Sequence, residues 1–280
     1  MVERRAVTRH TTQQAADMAR SWVDAMARFG YITIGGVYVL IGVLAVMTAI
    51  GAGGSVEDPQ GAIQIVAAQS FGRILVGLTA LGLIGFVMWR FVEAIIDPHG
   101  KGTDAQGIVA RIGYAVSGLI HAALAFFAGR LALGVGSNSM GDSEQAWTAT
   151  LLAQPFGPWL VGGIGSIIIG VGLCHFYMVY KARFMAEYNR RGMSAAEQQW
   201  AKRIGRFGLA ARGVTFVIIG GLVISAAVRA DPHQTKGLDE ALLTLAEQPY
   251  GPWLLGIVAL GLVAYGVFCF SRARYCYFSV

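Results

Sequence analysis

The stretch Arg206-Phe-Gly-Leu-Ala-Ala-Arg-Gly-Val-Thr-Phe-Val-Ile-Ile-Gly-Gly-Leu-Val-Ile-Ser-Ala-Ala-Val228 contains a run, Leu209 to Val228, in which Arg212 is the sole charged residue. A helix needs about 20 such residues to cross the hydrocarbon of a bilayer. Strands of a membrane barrel would alternate polar and apolar over shorter runs, and this stretch does not, so a helix that satisfies its own backbone is required. Five further runs read the same way: Tyr31 to Ile50, Ile74 to Ile96, Ile112 to Leu133, Trp159 to Tyr180 and Trp253 to Ser271. The expected fold is an all-α membrane protein with six transmembrane helices. Composition agrees, with 55% hydrophobic and 14% charged residues, against about 25% charged in soluble domains. A compact soluble globule would lack polar surface, and a disordered chain would be far less apolar.

The opening Arg206-Phe-Gly-Leu209 has counterparts in Arg28-Phe-Gly-Tyr31 and Arg111-Ile-Gly-Tyr114. A second motif precedes the even-numbered spans as Gln69-Ser-Phe-Gly72, Gln154-Pro-Phe-Gly157 and Gln248-Pro-Tyr-Gly251, with Gly77, Gly162 and Gly256 following at one offset. Three tandem two-helix repeats result, at residues 28–97, 111–184 and 206–280 including the tail. Repeats of two spans keep one orientation, so rotation about the membrane normal relates them and pseudo-threefold symmetry is expected. Residues 1–27 form an amphipathic arm, with Met18, Trp22, Ala25, Met26 and Phe29 at helical spacing. Residues 98–110 and 185–205 are connections, the second holding an interfacial helix that opens on the capping-box spacing Ser194-Ala-Ala-Glu197. Short outer lid helices are expected where Asp239-Glu-Ala-Leu and Ser143-Glu-Gln-Ala start runs that Gln-Pro-Phe-Gly or its variant ends.

Arg-x-Gly-Tyr, a glycine-rich span, an Ala/Leu helix ending Gln-Pro-Phe-Gly and a second glycine-rich span together resemble the bacterial membrane-protein family known as domain of unknown function 1206. The resemblance runs from Arg28 to about Phe278. Its frequent Arg-Gly pair is matched by Arg212-Gly213, whereas Ile34-Gly35 and Ser117-Gly118 lack the arginine. The resemblance implies a fold and a membrane location and lends no activity, substrate or catalytic residue.

Charge sets the orientation, because Lys and Arg near span ends favour the cytoplasmic side. Arg20, Arg28, Lys101, Arg111, Lys181, Arg203, Arg206, Arg272 and Arg274 fall on one side, and Glu57, Asp58, Asp142, Asp239 and Glu240 on the other. Both termini are expected to be cytoplasmic in a bacterial inner membrane. The net charge of +6 then faces anionic lipid of the cytoplasmic leaflet, and no nucleic-acid partner is expected. The polar stretch before Tyr31 lacks a small-residue cleavage site and does not read as a signal peptide. Cys174, Cys269 and Cys276 form no CxxC pair or metal spacing.

Ionisable residues inside the spans are few. Arg90 and Glu93, at i and i+3, share a helix face and are ion-pair candidates. Snorkelling to the headgroups is the ordinary account of both, and of Arg212. The position 21 residues beyond each motif glutamine is occupied by Arg90, His175 and Cys269, three polar or reactive side chains at equivalent depth. His121 lies at a comparable depth. These are the ligand or axial candidates, with structural histidines as the plain alternative. No catalytic residue, metal site or resident cofactor is assigned. The leading expectation is a non-enzymatic scaffold or accessory subunit that binds another membrane protein or a second copy of itself. The alternatives are a small-solute transporter or channel, and a redox protein holding haem or quinone between His121 and His175.

Overall fold

A computed structural model describes the backbone of residues 2–135, 141–232 and 237–278, and the side chains of those residues at 18 and from 20 onward except 141–146. The fold is all helical: α1 (Val2–Ala49), α2 (Pro59–Ala67), α3 (Gly72–Ile95), α4 (Ala105–Ala132), α5 (Gly141–Leu152), α6 (Gly157–Lys181), α7 (Ala195–Arg229), α8 (Leu238–Ala246) and α9 (Gly251–Tyr275). Within these, α3, α4, α6 and α9 in full, the Arg20–Ala49 part of α1, and α7 are long and apolar enough to cross a membrane. The repeats are thus α1–α3, α4–α6 and α7–α9.

The arm and the interfacial helix do not form separate elements. Residues before Tyr31 continue into the first span as one helix, and residues 195–205 continue into the fifth. No proline interrupts either stretch, so nothing breaks the i to i−4 ladder. The capping box does start α7: the Ser194 amide donates to Glu197 Oε2 at 2.8 Å and the Glu197 amide to Ser194 Oγ at 3.2 Å. The capping residues expected for α5 lie outside the described side chains.

The Gln-x-Phe/Tyr-Gly motif is built alike three times. The amides of Gly72, Gly157 and Gly251 donate to the carbonyls of Gln69, Gln154 and Gln248 at 2.8, 2.8 and 2.7 Å. Each glutamine side chain donates one turn back, to Ile65, Thr150 and Thr244. The glycine lets the next span start directly against the end of the short helix. A Cβ there would overlap the carbonyl oxygens of Ala67, Leu152 and Ala246 respectively.

The helices pack in the order α4–α3–α1–α9–α7–α6. The three junctions between repeats (α3 with α4, α6 with α7, α9 with α1) are equivalent. Gly77, Gly162 and Gly256 face Ala132, Ala227 and Ala49, and the arginine that opens each repeat donates to carbonyls at the end of its neighbour. Arg28 reaches Ala273 O at 2.6 Å, Arg111 reaches Ala94 O and Ile95 O at 2.8 and 2.9 Å, and Arg206 reaches Val179 O at 3.2 Å. All lie in the last turn of a helix, where carbonyls lack a partner further along it; Val179 O also accepts from the capping Ala182 amide at 3.3 Å.

Pairing within repeats is not equivalent. α1 packs on α3 and α7 on α9, but α4 and α6 do not pack along each other. The pseudo-threefold arrangement is therefore incomplete, and the ring of six is open at its middle hairpin.

Replacing Gly251 by Ala is expected to cost about 1–3 kcal/mol through overlap with Ala246. Gly36, which faces open space, supplies the control. Thermal unfolding in detergent should show a lowered midpoint for G251A and none for G36A.

Candidate functional site

Two polar layers occupy the half of the bundle near its basic end. The lower one gathers side chains from α3, the connection after it, the 3₁₀ turn Arg183–Glu187 and α9. Arg90 Nη1 meets Glu93 Oε2 at 2.7 Å, and His99 Nε2 lies 3.4 Å from Glu93 Oε1. Lys101 Nζ and Arg272 Nη2 hold the two oxygens of Glu187 at 3.2 and 2.5 Å. The Tyr31 ring takes the guanidinium of Arg272 at 4.6 Å and that of Arg90 at 5.7 Å. The tail seals this layer: Tyr188 bridges Cys276, and Phe278 packs on Tyr31 and Trp89.

Arg90 and Glu93 thus pair with each other in the core. The snorkelling account fails for both, because a buried charge is held only with a partner at hand. Burial pushes the Glu187 carboxyl up, but Arg272, Lys101 and His99 outweigh it and hold it at about 2 rather than 4.5. Glu93, His99 and Glu187 bring three ligand atoms within 4.8 Å of one another, a donor set that suits a divalent cation. Two arginines and a lysine already offset both carboxylates, so the chemistry here is that of an ion-pair network.

The upper layer centres on Arg212, whose Nη1 donates to Tyr265 Oη at 2.5 Å. Its guanidinium lies over the rings of Tyr265, Tyr38 and Phe216 at 4.4, 5.1 and 5.1 Å. It turns into the bundle on aromatic faces instead of reaching for the headgroups, which corrects the expectation for this residue as well. No carboxylate lies within ion-pair range of it among the described residues.

His121 and His175 belong to this layer and stand on α4 and α6, the two helices that border the opening. His121 packs against Phe86 with ring centroids 4.7 Å apart, and His175 stacks on Phe216 at 5.5 Å. Each Nδ1 lies within hydrogen-bond distance of a carbonyl one turn back, Ser117 O at 2.7 Å and Val171 O at 2.8 Å. Nδ1 is then the donor and Nε2 keeps its lone pair. Arg212 and His175 share Phe216, the guanidinium lying over the ring on which the imidazole stacks. Cys269 is fully buried beside Tyr265. Arg90, His175 and Cys269 each engage different neighbours, and none of the three pairs directly with another.

The opening is also legible in residues that the other hairpins bury. Gly30 and Gly208 abut the backbone of Phe86 and Tyr265, the residues 17 beyond their motif glutamines, whereas Gly113 has nothing within 4 Å. Its missing neighbour is Val171, which is 39% exposed where Phe86 and Tyr265 are 2% and 6%. Ile120 is 63% exposed, and its equivalents Val37 and Thr215 are buried. Ile167 and Cys174 are exposed likewise. Tyr31, His99, Lys101, Glu187 and Arg272 do not stand out as site residues in the sequence alone. Tyr31 carried a signal, as part of the repeat motif; the charges looked like ordinary solvated connections.

The family described as Domain of Unknown Function (DUF1206) matches three segments, residues 29–97, 112–183 and 207–276. A relative from Bacillus subtilis (strain 168), named as uncharacterized protein YxxB, is 40% identical over 256 residues, covering 91% of this chain and 92% of its own. No solved structure matches.

Substituting Glu187 by Gln strands Arg272 in a buried site and is expected to cost about 3–5 kcal/mol at neutral pH. Because the folded state holds this carboxyl near 2 against 4.5, its contribution is complete above about pH 4.5 and is lost as pH falls toward 2. Melting curves of parent and E187Q should therefore differ most at pH 7 and converge toward pH 3.

Proposed function

We propose that this chain, which belongs to the family described as Domain of Unknown Function (DUF1206), is a non-enzymatic scaffold or accessory subunit of a bacterial cytoplasmic membrane, and that its working part is the middle hairpin. The basic end, with Arg28, Arg111, Arg206 and Arg272, would face the cytoplasm and its anionic lipid, leaving both termini inside.

One observation carries the reading. Positions buried between helices in the first and third hairpins face outward in the second, and Gly113 retains the bare surface that Gly30 and Gly208 use against a helix backbone. Lipid chains pack on leucine as readily as on glycine. A glycine face matters where another backbone comes close, since helices in lipid associate through close packing and not through a hydrophobic drive. A transmembrane helix of another membrane protein is the occupant this face fits.

A second reading, a small-molecule site serving transport or holding haem or quinone, is favoured by one feature. His121 and His175 both keep Nε2 free while Nδ1 is tied to the helix, which is how ligating histidines are oriented. Purified protein titrated with haem would develop a Soret band on this reading and none on the first.

The leading reading is tested by placing a photo-cross-linker at Ile120 or Ile167, on the faces bordering the opening, and at Leu119 or Leu173, which are exposed on other faces of the same helices. Irradiation of native membranes should give a discrete protein adduct from the first pair alone. Adducts independent of position, or lipid adducts only, would remove the docking role.

A further inference from the structure

Arg212 stands six residues beyond Arg206, about 9 Å along the helix from the basic end. It is half-buried, and its partners among the described residues are aromatic rings and a phenol hydroxyl. A guanidinium at this depth in a membrane is expensive unless an anion accompanies it. The other buried arginines illustrate the rule, since Arg90 has Glu93 and Arg272 has Glu187. Arg212 differs from them in lying beside the open hairpin: its guanidinium lies over the Phe216 ring, on which His175 of α6 stacks. His121 and His175 add no negative charge, and each offers Nε2 with a lone pair.

Resting on the docking role proposed above, we infer that the open middle hairpin seats a transmembrane helix of another protein that carries one carboxylate, Asp or Glu, at the depth of Arg212. Two independent features select this occupant. The glycine at Gly113 and the small or β-branched residues Val116, Ile120, Ile167 and Val171 fit a helix backbone. The uncompensated guanidinium calls for an acid, and its planar fork matches a carboxylate with two parallel hydrogen bonds. An acyl chain with an acidic head would satisfy Arg212 but has no use for the glycine face.

The probe is a synthetic lysine-flanked transmembrane peptide, leucine-rich with one glycine face, bearing a single Glu at the matching depth, compared with its Gln twin. Binding to full-length protein in nanodiscs is read by energy transfer. The parent should bind the Glu peptide about tenfold more tightly than the Gln peptide, a difference of about 1.4 kcal/mol. Arg212→Gln should abolish the preference and Arg212→Lys, which keeps the charge without the fork, restore only part of it, with unfolding midpoints verifying that both variants fold. Equal binding of the two peptides would overturn the charge pairing while leaving the docking role intact. Binding of neither would overturn both. Displacement of the Glu peptide by oleate, with the same dependence on Arg212, would make the occupant a single-chain acid and overturn the helix assignment.

Discussion

Carbonyl groups at the end of a helix have no partner within it. Here the partner is the arginine that opens the neighbouring repeat. Arg28, Arg111 and Arg206 each donate to the last carbonyls of α9, α3 and α6 respectively. One residue per repeat thereby satisfies a helix end, opposes its dipole and fastens two repeats together. The chain closes on itself by the same device, because α9 at its end is tied to α1 near its start. Everything nearer the acidic end inherits the spacing this contact sets, down to Gly77, Gly162 and Gly256 against their alanines.

The ion-pair layer depends on that closure. Arg272 can meet Glu187, and Phe278 can pack on Trp89, only because α9 lies beside α1 with its tail tucked under the bundle. Buried ion pairs add little to stability in themselves, since desolvation consumes most of the attraction. Their cost when broken is what gives them weight: an unpaired guanidinium or carboxylate in this layer has nowhere to go. The network therefore acts as a lock on the arrangement of the basic end, joining the connection after α3, the turn after α6 and the end of α9.

The middle hairpin escapes these constraints. Both of its helices are fastened to neighbours, α4 to α3 and α6 to α7, and neither junction requires them to touch each other. In the first and third repeats large residues fill the seam, with Phe86 and Trp89 in one and Tyr265 and Phe268 in the other. The second repeat has Val171 and Cys174 at those places, smaller side chains that leave less surface to bury and less reason for the hairpin to shut.

The six spans, the three repeats and the family could be read from the chain by itself, because hydrophobic length and short glycine motifs are local properties imposed by the bilayer. So could Arg90, Glu93, His121 and His175 as residues out of place in lipid. The direction in which those side chains turn could not. Spans that are apolar nearly all round carry no pattern that separates an inner face from a lipid face, so Arg212 read as a snorkelling residue until Tyr38 and Tyr265 were seen beneath it. Glu187, Lys101 and Arg272 lie far apart in sequence and looked like solvated charge; packing between repeats joined them. The opening between α4 and α6 was likewise a decision of tertiary structure, since Val171 and Cys174 are unremarkable residues in an apolar span and their small size matters only through how much each seam buries.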